Sequence, residues 1–129
     1  MRNILLLFLL VACQSSVSQS NDYLLDVGKF DKFRMENPKA IIIDVRTNGE
    51  VAKGVIKGAT QIDYRSNDFK KKLNQLDKDK VYMVYCAVGG RSGRAASMMN
   101  QLGFKNVYDL KGGITAWKAA GKELSAYQP

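Results

Sequence analysis

Two runs in this sequence, AIIIDV at Ala40–Val45 and VYMVY at Val81–Tyr85, are apolar on successive residues rather than on every second one. A strand of that kind offers no face to water, so other elements must cover it on both sides. The segments around these runs carry helical spacing. Phe30 and Phe33 share a face between Gly28 and Asn37 before Pro38 stops the helix. A short helix is expected around Asn48 to Lys53, and another from Phe69 to Leu76 with Phe69, Leu73 and Leu76 on its inner side. Ala95, Ala96, Met98, Met99 and Leu102 support a helix from Ser92 to Leu102 that Gly103 can end in a left-handed turn, and GGITAWKAAG gives a last helix stopped by Gly121. Shorter strands fall near Ala59–Ile62 and at Val107–Leu110, after a brief apolar start at Tyr23–Val27. This alternation predicts an α/β fold: an open parallel sheet of about five strands with helices on both faces.

The chain opens differently. One arginine precedes an unbroken apolar run from Ile4 to Ala12, the pattern of a secretory signal and too short for a helix that crosses a bilayer, which needs roughly 20 apolar residues. Leu10, Val11, Ala12 and Cys13 resemble the lipobox of bacterial lipoproteins, which implies lipidation of Cys13 after removal of residues 1–12. Residues 13–22 then read as the lipidated cysteine and a polar tether, whose eight residues after Cys13 reach roughly 15 Å as a flexible coil. The folded domain is expected over residues 23–129. It would be exported and held by lipid at the cell envelope or periplasmic face, with Gln14 leaning towards the outer membrane.

Lysine and arginine number 20 against 12 acidic residues, a net charge of +8. The triple Lys70, Lys71, Lys72 is the polar side of the Phe69–Leu76 helix, and no interleaved aromatic and basic pattern is present, so a nucleic-acid partner is not expected. The chain has two cysteines and no histidine. With Cys13 lipidated, Cys86 has no disulfide partner in the chain and stays a free thiol. The lack of histidine excludes a Cys–His acyl-transfer pair and a His-ligated metal; no metal or cofactor is expected.

Cys86 follows the second buried strand and is itself followed by Ala87, Val88, Gly89, Gly90, Arg91 and Ser92. In open parallel sheets ligands sit beyond the carboxyl ends of strands. Glycines allow the positive φ of an amide nest, and the nest together with a helix start at Ser92 favours a thiolate and binds anions. Arg91 adds a planar fork suited to two oxygens of a sulfonate, sulfate or phosphate. Arg46, at the end of the first buried strand, is a further candidate for framing the site, although an ion pair with Glu50 would serve it equally. Ser92 is a candidate donor to sulfur bound at Cys86, although helping to start the helix is the favoured role. Arg94 is either part of the anion field or simply solvated, while Trp117, Met98 and Met99 read as core.

The motif Cys86-Ala87-Val88-Gly89-Gly90-Arg91-Ser92 resembles the active-site loop of the rhodanese family. IIIDVR at Ile41–Arg46 with Glu50, GVIKGAT at Gly54–Thr60, and LKGGITAW at Leu110–Trp117 resemble its other signatures, in the same order. The resemblance implies that Cys86 takes sulfane sulfur from a small anionic donor such as thiosulfate, or from a persulfide, and passes it to a thiol or cyanide. The amides of Ala87 to Arg91 would cradle the outer sulfur and Arg91 would bind the donor's oxygens. Gly54-Val55-Ile56-Lys57-Gly58-Ala59 departs from the family's Gly-His-Ile-Pro-Gly-Ala, which puts local packing at issue more than chemistry.

Two other readings share the cysteine. One is a persulfide carrier with little turnover. The other is a phosphatase or arsenate reductase type of site, whose loop in the related enzymes is one residue longer than the four residues between Cys86 and Arg91. A shorter loop tightens around a single sulfur and leaves less room for a tetrahedral phosphate. For the first residues the expectation is direct: Cys13→Ala moves the protein out of the membrane fraction or stalls its processing, and radioactive palmitate labels the wild-type chain but not the variant.

Overall fold

The computed structural model describes residues 23–129; the signal, Cys13 and the tether lie outside the described residues. Ten elements follow one another: β1 Leu24–Leu25, α1 Val27–Glu36, β2 Ile41–Asp44, α2 Asn48–Val51, β3 Thr60–Gln61, α3 Phe69–Asn74, β4 Val81–Tyr85, α4 Gly90–Gln101, β5 Asn106–Leu110 and α5 Gly113–Ala119. The strands form one sheet in the order β1-β5-β4-β2-β3, with every pairing parallel. The expected open sheet of about five strands with helices on both faces is the fold found.

The successive apolar residues divide between two cores as a period of two requires. Ile43, Val45, Tyr82, Val84 and Cys86 face α3 and α4, where Phe69, Leu73, Ala95 and Met99 meet them. Ile42, Met83 and Tyr85 face the opposite way, against Phe30 of α1, Val51 of α2, and Ile114 and Trp117 of α5. Two-sided burial explains why these strands show no polar alternation.

Element ends differ where local chemistry outweighs pattern. α2 stops at Val51, short of Lys53, and β3 is reduced to Thr60–Gln61. α4 begins at Gly90, two residues before Ser92, because Gly89 at φ 113° turns the chain directly into the helix. Gly103 at φ 92° closes α4 in the left-handed conformation expected of it. Lys70, Lys71 and Lys72 are exposed on α3, and Trp117 and Met99 are core.

The Gly54–Ala59 segment, which lacks the histidine of the resembling family, is held by other contacts. Arg46 Nη2 donates to the Gly54 carbonyl at 2.7 Å, and the Ile56 amide donates to the Tyr85 hydroxyl at 3.0 Å. The Val55 amide donates to the Ser125 carbonyl at 2.8 Å, and the Ser125 amide returns the bond at the same length. Tyr85 is fully buried, so its hydroxyl ties β4 to this segment within the core. Tyr85→Phe leaves the Ile56 amide without its acceptor inside the core, and is expected to cost about 1–3 kcal/mol of stability, read as a lower denaturant midpoint.

Candidate functional site

Cys86 stands one residue past β4, the central strand, and its position is fixed from both neighbours. The β2–β4 register pairs Asp44 with Tyr85, and the Val45 amide donates to the Tyr85 carbonyl at 3.1 Å, so the ladder runs up to the cysteine. From there the chain turns through Ala87, Val88 and Gly89 into α4.

The turn's carbonyls are held by another element. The amides of Ile114 and Thr115 at the start of α5 donate to the carbonyls of Cys86 at 2.9 Å and Ala87 at 3.1 Å. Gly113 makes this approach possible: at φ 61°, a Cβ there would lie 2.5 Å from each of those two carbonyl oxygens. With its carbonyls drawn towards α5, the loop directs amides at the thiol. The Gly89 amide donates to Cys86 Sγ at 3.0 Å, and the neighbouring amides of Val88 and Ser92 also favour the thiolate. Burial pushes the Cys86 thiol up, but the Ser92 hydroxyl and the amides of Ser92, Gly89 and Val88 outweigh it and hold the thiol below its ordinary range.

Cys86 is only 1% exposed, while Val88 above it is 68% exposed. The sulfur thus sits on the floor of the loop with the Val88 side chain exposed above it. Ser92 is fully buried as the third residue of α4, not its cap. Its hydroxyl donates to the Gly89 carbonyl at 3.3 Å, a bond back to the residue that starts the helix, and its position beside the loop helps to hold the Cys86 thiol low.

The arginines are placed differently from their expected roles. Arg91 Nη1 and Nη2 bond to the two oxygens of Glu50 at 2.8 and 2.9 Å, so the fork expected to grip a donor's oxygens is taken by a carboxylate of the chain. Arg46 pairs with Asp44, not with Glu50, through Nη2 at 2.7 Å and Nε at 3.0 and 3.1 Å. It is 5% exposed and faces the Gly54 carbonyl, so it braces the β2 end from within rather than framing a substrate. Arg94 lies over the Tyr64 ring, 5.5 Å from its centroid, beside Gly90. Ala87, Val88, Gly89 and Gly90 form the loop itself.

Two contributors escaped the sequence reading. The α5 amides did so because a helix start far along the chain carries no mark of which carbonyl it will meet. Glu50 was noted but matched to the wrong arginine.

A buried thiol that accepts from a loop amide at the end of the central strand of a parallel sheet defines an α/β domain with its candidate site at Cys86. The chain belongs to the rhodanese-like domain family, which matches residues 26–120. It is 41% identical over 81 residues to a Bacillus subtilis protein named "Putative sulfurtransferase YtwF", covering 63% of this chain and 76% of that one. It is 33% identical over 86 residues to a sulfurtransferase of Allochromatium vinosum, covering 67% and 78%. A rhodanese-related protein of Thermoplasma volcanium superposes with a TM-score of 0.69 at 30% identity, over 81% of this chain and 98% of that one.

The Glu50–Arg91 pair carries its own pH dependence. Its hydrogen bonds with Arg91, and then with Thr47, hold the Glu50 carboxyl at about 2 against an ordinary 4.5. A lowered folded-state value means that the pair's stabilisation is complete above about pH 4.5 and is lost as pH falls towards 2. Glu50→Gln should therefore melt below the wild type at neutral pH and converge with it near pH 2, as checked by thermal unfolding across that range.

Proposed function

We propose that this protein is a sulfurtransferase that moves sulfane sulfur from thiosulfate or a persulfide to a thiol or cyanide through a Cys86 persulfide. The observation that carries the proposal is the Gly89 amide donating to Cys86 Sγ at 3.0 Å, in a loop whose amides together hold the thiol below its ordinary range. Such a nest stabilises the attacking thiolate and then the terminal sulfur anion of the persulfide with dipoles already in place. In the first step Sγ attacks the sulfane sulfur, a new S–S bond forms, and the donor's S–S bond breaks with its electron pair leaving on sulfite or a thiolate. In the second, the acceptor attacks the outer sulfur, and the pair of the Cys86 S–S bond returns to Sγ.

The rim favours one donor class. The fork of Arg91 is held by Glu50 and that of Arg46 by Asp44, so the sulfonate oxygens of thiosulfate would have to displace a carboxylate from either fork, and of the described arginines beside the loop only Arg94, over the Tyr64 ring next to Gly90, has no carboxylate partner. A thiol persulfide, whose transferable sulfur protrudes on a flexible apolar stem, makes no such demand. The same observation favours the carrier as a second reading, with Cys86 holding sulfur for a partner and turning over little free thiosulfate. A phosphate monoester fits the loop less well, since a dianion needs the cation that Glu50 occupies. Export, lipidation of Cys13 and residence at the envelope complete the proposal and place its donors and acceptors outside the cytoplasm.

The test is sulfur loading followed by release. Incubation with thiosulfate or with glutathione persulfide should add one sulfur atom to the peptide containing Cys86, and cyanide should remove it as thiocyanate. Loading should proceed more efficiently from the persulfide. Cys86→Ser, nearly isosteric, is expected to fold normally and to lose all transfer; a Cys86→Ser protein that still forms thiocyanate excludes the mechanism. Loading without turnover on thiosulfate selects the carrier reading.

A further inference from the structure

Arg94 differs from the other arginines around the Cys86 loop. Arg91 is bound by Glu50 and Arg46 by Asp44, each through more than one hydrogen bond. Arg94, one turn into α4, is exposed and has no acid within salt-bridge distance among the described residues. The acids of the segment after β3 are engaged elsewhere: Asp63 accepts from the Arg65 amide at 2.9 Å, and Asp68 pairs with Lys72 at 3.4 Å.

Exposed arginines are common, and most need no explanation. Two features set the position of this one. Its guanidinium carbon lies 5.5 Å from the centroid of the Tyr64 ring, and Tyr64 is itself packed edge-on against buried Phe69, with ring centroids 5.1 Å apart. A cation on an aromatic face is attracted to it without using any of its N–H donors.

The second feature is Gly90. A Cβ there would lie 3.7 Å from Arg94 Nη1 and 3.8 Å from Nη2, so both ends of the fork lie over this glycine. Gly90 follows Gly89, whose amide donates to Cys86 Sγ at 3.0 Å. An uncommitted fork thus stands one residue along the chain from the amide that holds the sulfur.

We propose that Arg94 is the specificity-determining residue for anionic donors: its fork receives oxygens carried one atom beyond the sulfur that Cys86 attacks, as in thiosulfate, while Arg91 stays bound to Glu50. As Sγ takes the outer sulfur, the S–S electron pair of the donor leaves on sulfite, and negative charge grows on the departing oxygens. Two parallel N–H groups of a planar fork suit two of those oxygens. Tyr64 sets where the fork lies, and Gly90 leaves it room.

One other cation stands at this edge. Lys111 is exposed beside the Gly112–Gly113 turn, and the Gly112 amide nitrogen lies 3.8 Å from where a Cβ on Gly89 would be. A lysine offers a point charge and no fork, so the two residues make different demands on an anion.

The proposal rests on the sulfurtransferase reading and assigns its donor subsite, but the test needs no sulfur donor. Alkylation of Cys86 in the full chain is followed by mass spectrometry with iodoacetate and with iodoacetamide at one pH. Both reagents form the same S–C bond and expel iodide. Iodoacetate alone carries charged oxygens one atom beyond the attacked carbon, the spacing of thiosulfate. The ratio of the two rates cancels the thiolate fraction and reports only the anion.

Arg94→Gln should lower the iodoacetate-to-iodoacetamide ratio about five- to tenfold, with the iodoacetamide rate unchanged to within about twofold. Arg94→Lys should recover part of the loss. Lys111→Gln and Lys70→Gln, which remove the same charge elsewhere, should keep the wild-type ratio. Added salt should weaken the wild-type preference and leave the Arg94→Gln ratio flat.

An Arg94→Gln ratio equal to wild type overturns the assignment. An equal fall in Lys111→Gln also overturns it, since that is the mark of a diffuse field and not of a fork. A fall in Arg91→Lys with Arg94→Gln unaffected means that the anion displaces Glu50, and this too rejects the proposal. A protein that transfers no sulfur but shows the Arg94-dependent ratio fails the sulfurtransferase reading and leaves the anion subsite standing.

Discussion

The site depends on two hydrogen bonds that do not touch the sulfur. The amides of Ile114 and Thr115 hold the carbonyls of Cys86 and Ala87, and this fixes which way the peptide planes of the loop face. A loop of this length has few arrangements in which its amides face the sulfur. Without those acceptors held in place, a carbonyl could turn towards Sγ and destabilise the thiolate that the amides support. The start of α5 is therefore part of the active site, although no side chain of α5 has been placed at the thiol.

That dependence explains the order of the fold. β4 delivers Cys86 at the carboxyl end of the central strand, and β5 beside it delivers α5 to the same end. A parallel sheet brings all its strand-to-helix turns to one edge, so the Cys86 turn and the Gly112–Gly113 turn meet there. Gly113 is the contact point, because any side chain would collide with both carbonyls at once.

Much of this was legible in the sequence, and the residues show why. AIIIDV and VYMVY declared two-sided strands because burial on both faces removes the polar alternation. CAVGGRS declared a tight loop closing on the cysteine, because inert core cysteines do not need glycines next to them. Helix starts and ion pairs were less legible. Gly89 starts α4 two residues before Ser92, since the turn is set by backbone conformation and not by the hydroxyl that usually marks a cap. Arg46 and Arg91 each had two acids within reach, and spacing along the chain could not assign them. The strand register places Asp44 inside with Arg46, and the turn into α2 leaves Glu50 facing the loop.

These pairings change how the positive charge should be understood. A net charge of +8 suggests that the thiolate is stabilised by a cationic field. Yet two of the arginines nearest to it are matched by carboxylates, and Arg94 rests on an aromatic ring. What remains at the sulfur is short-range: amide dipoles and the Ser92 hydroxyl nearby. Interactions of that kind are scarcely screened by salt, whereas surface charge is screened within a Debye length of about 10 Å in ordinary buffers. The state of the Cys86 thiol is therefore a property of the fold's interior, set by the backbone orientation of its loop, and largely independent of the ionic medium in which the domain works.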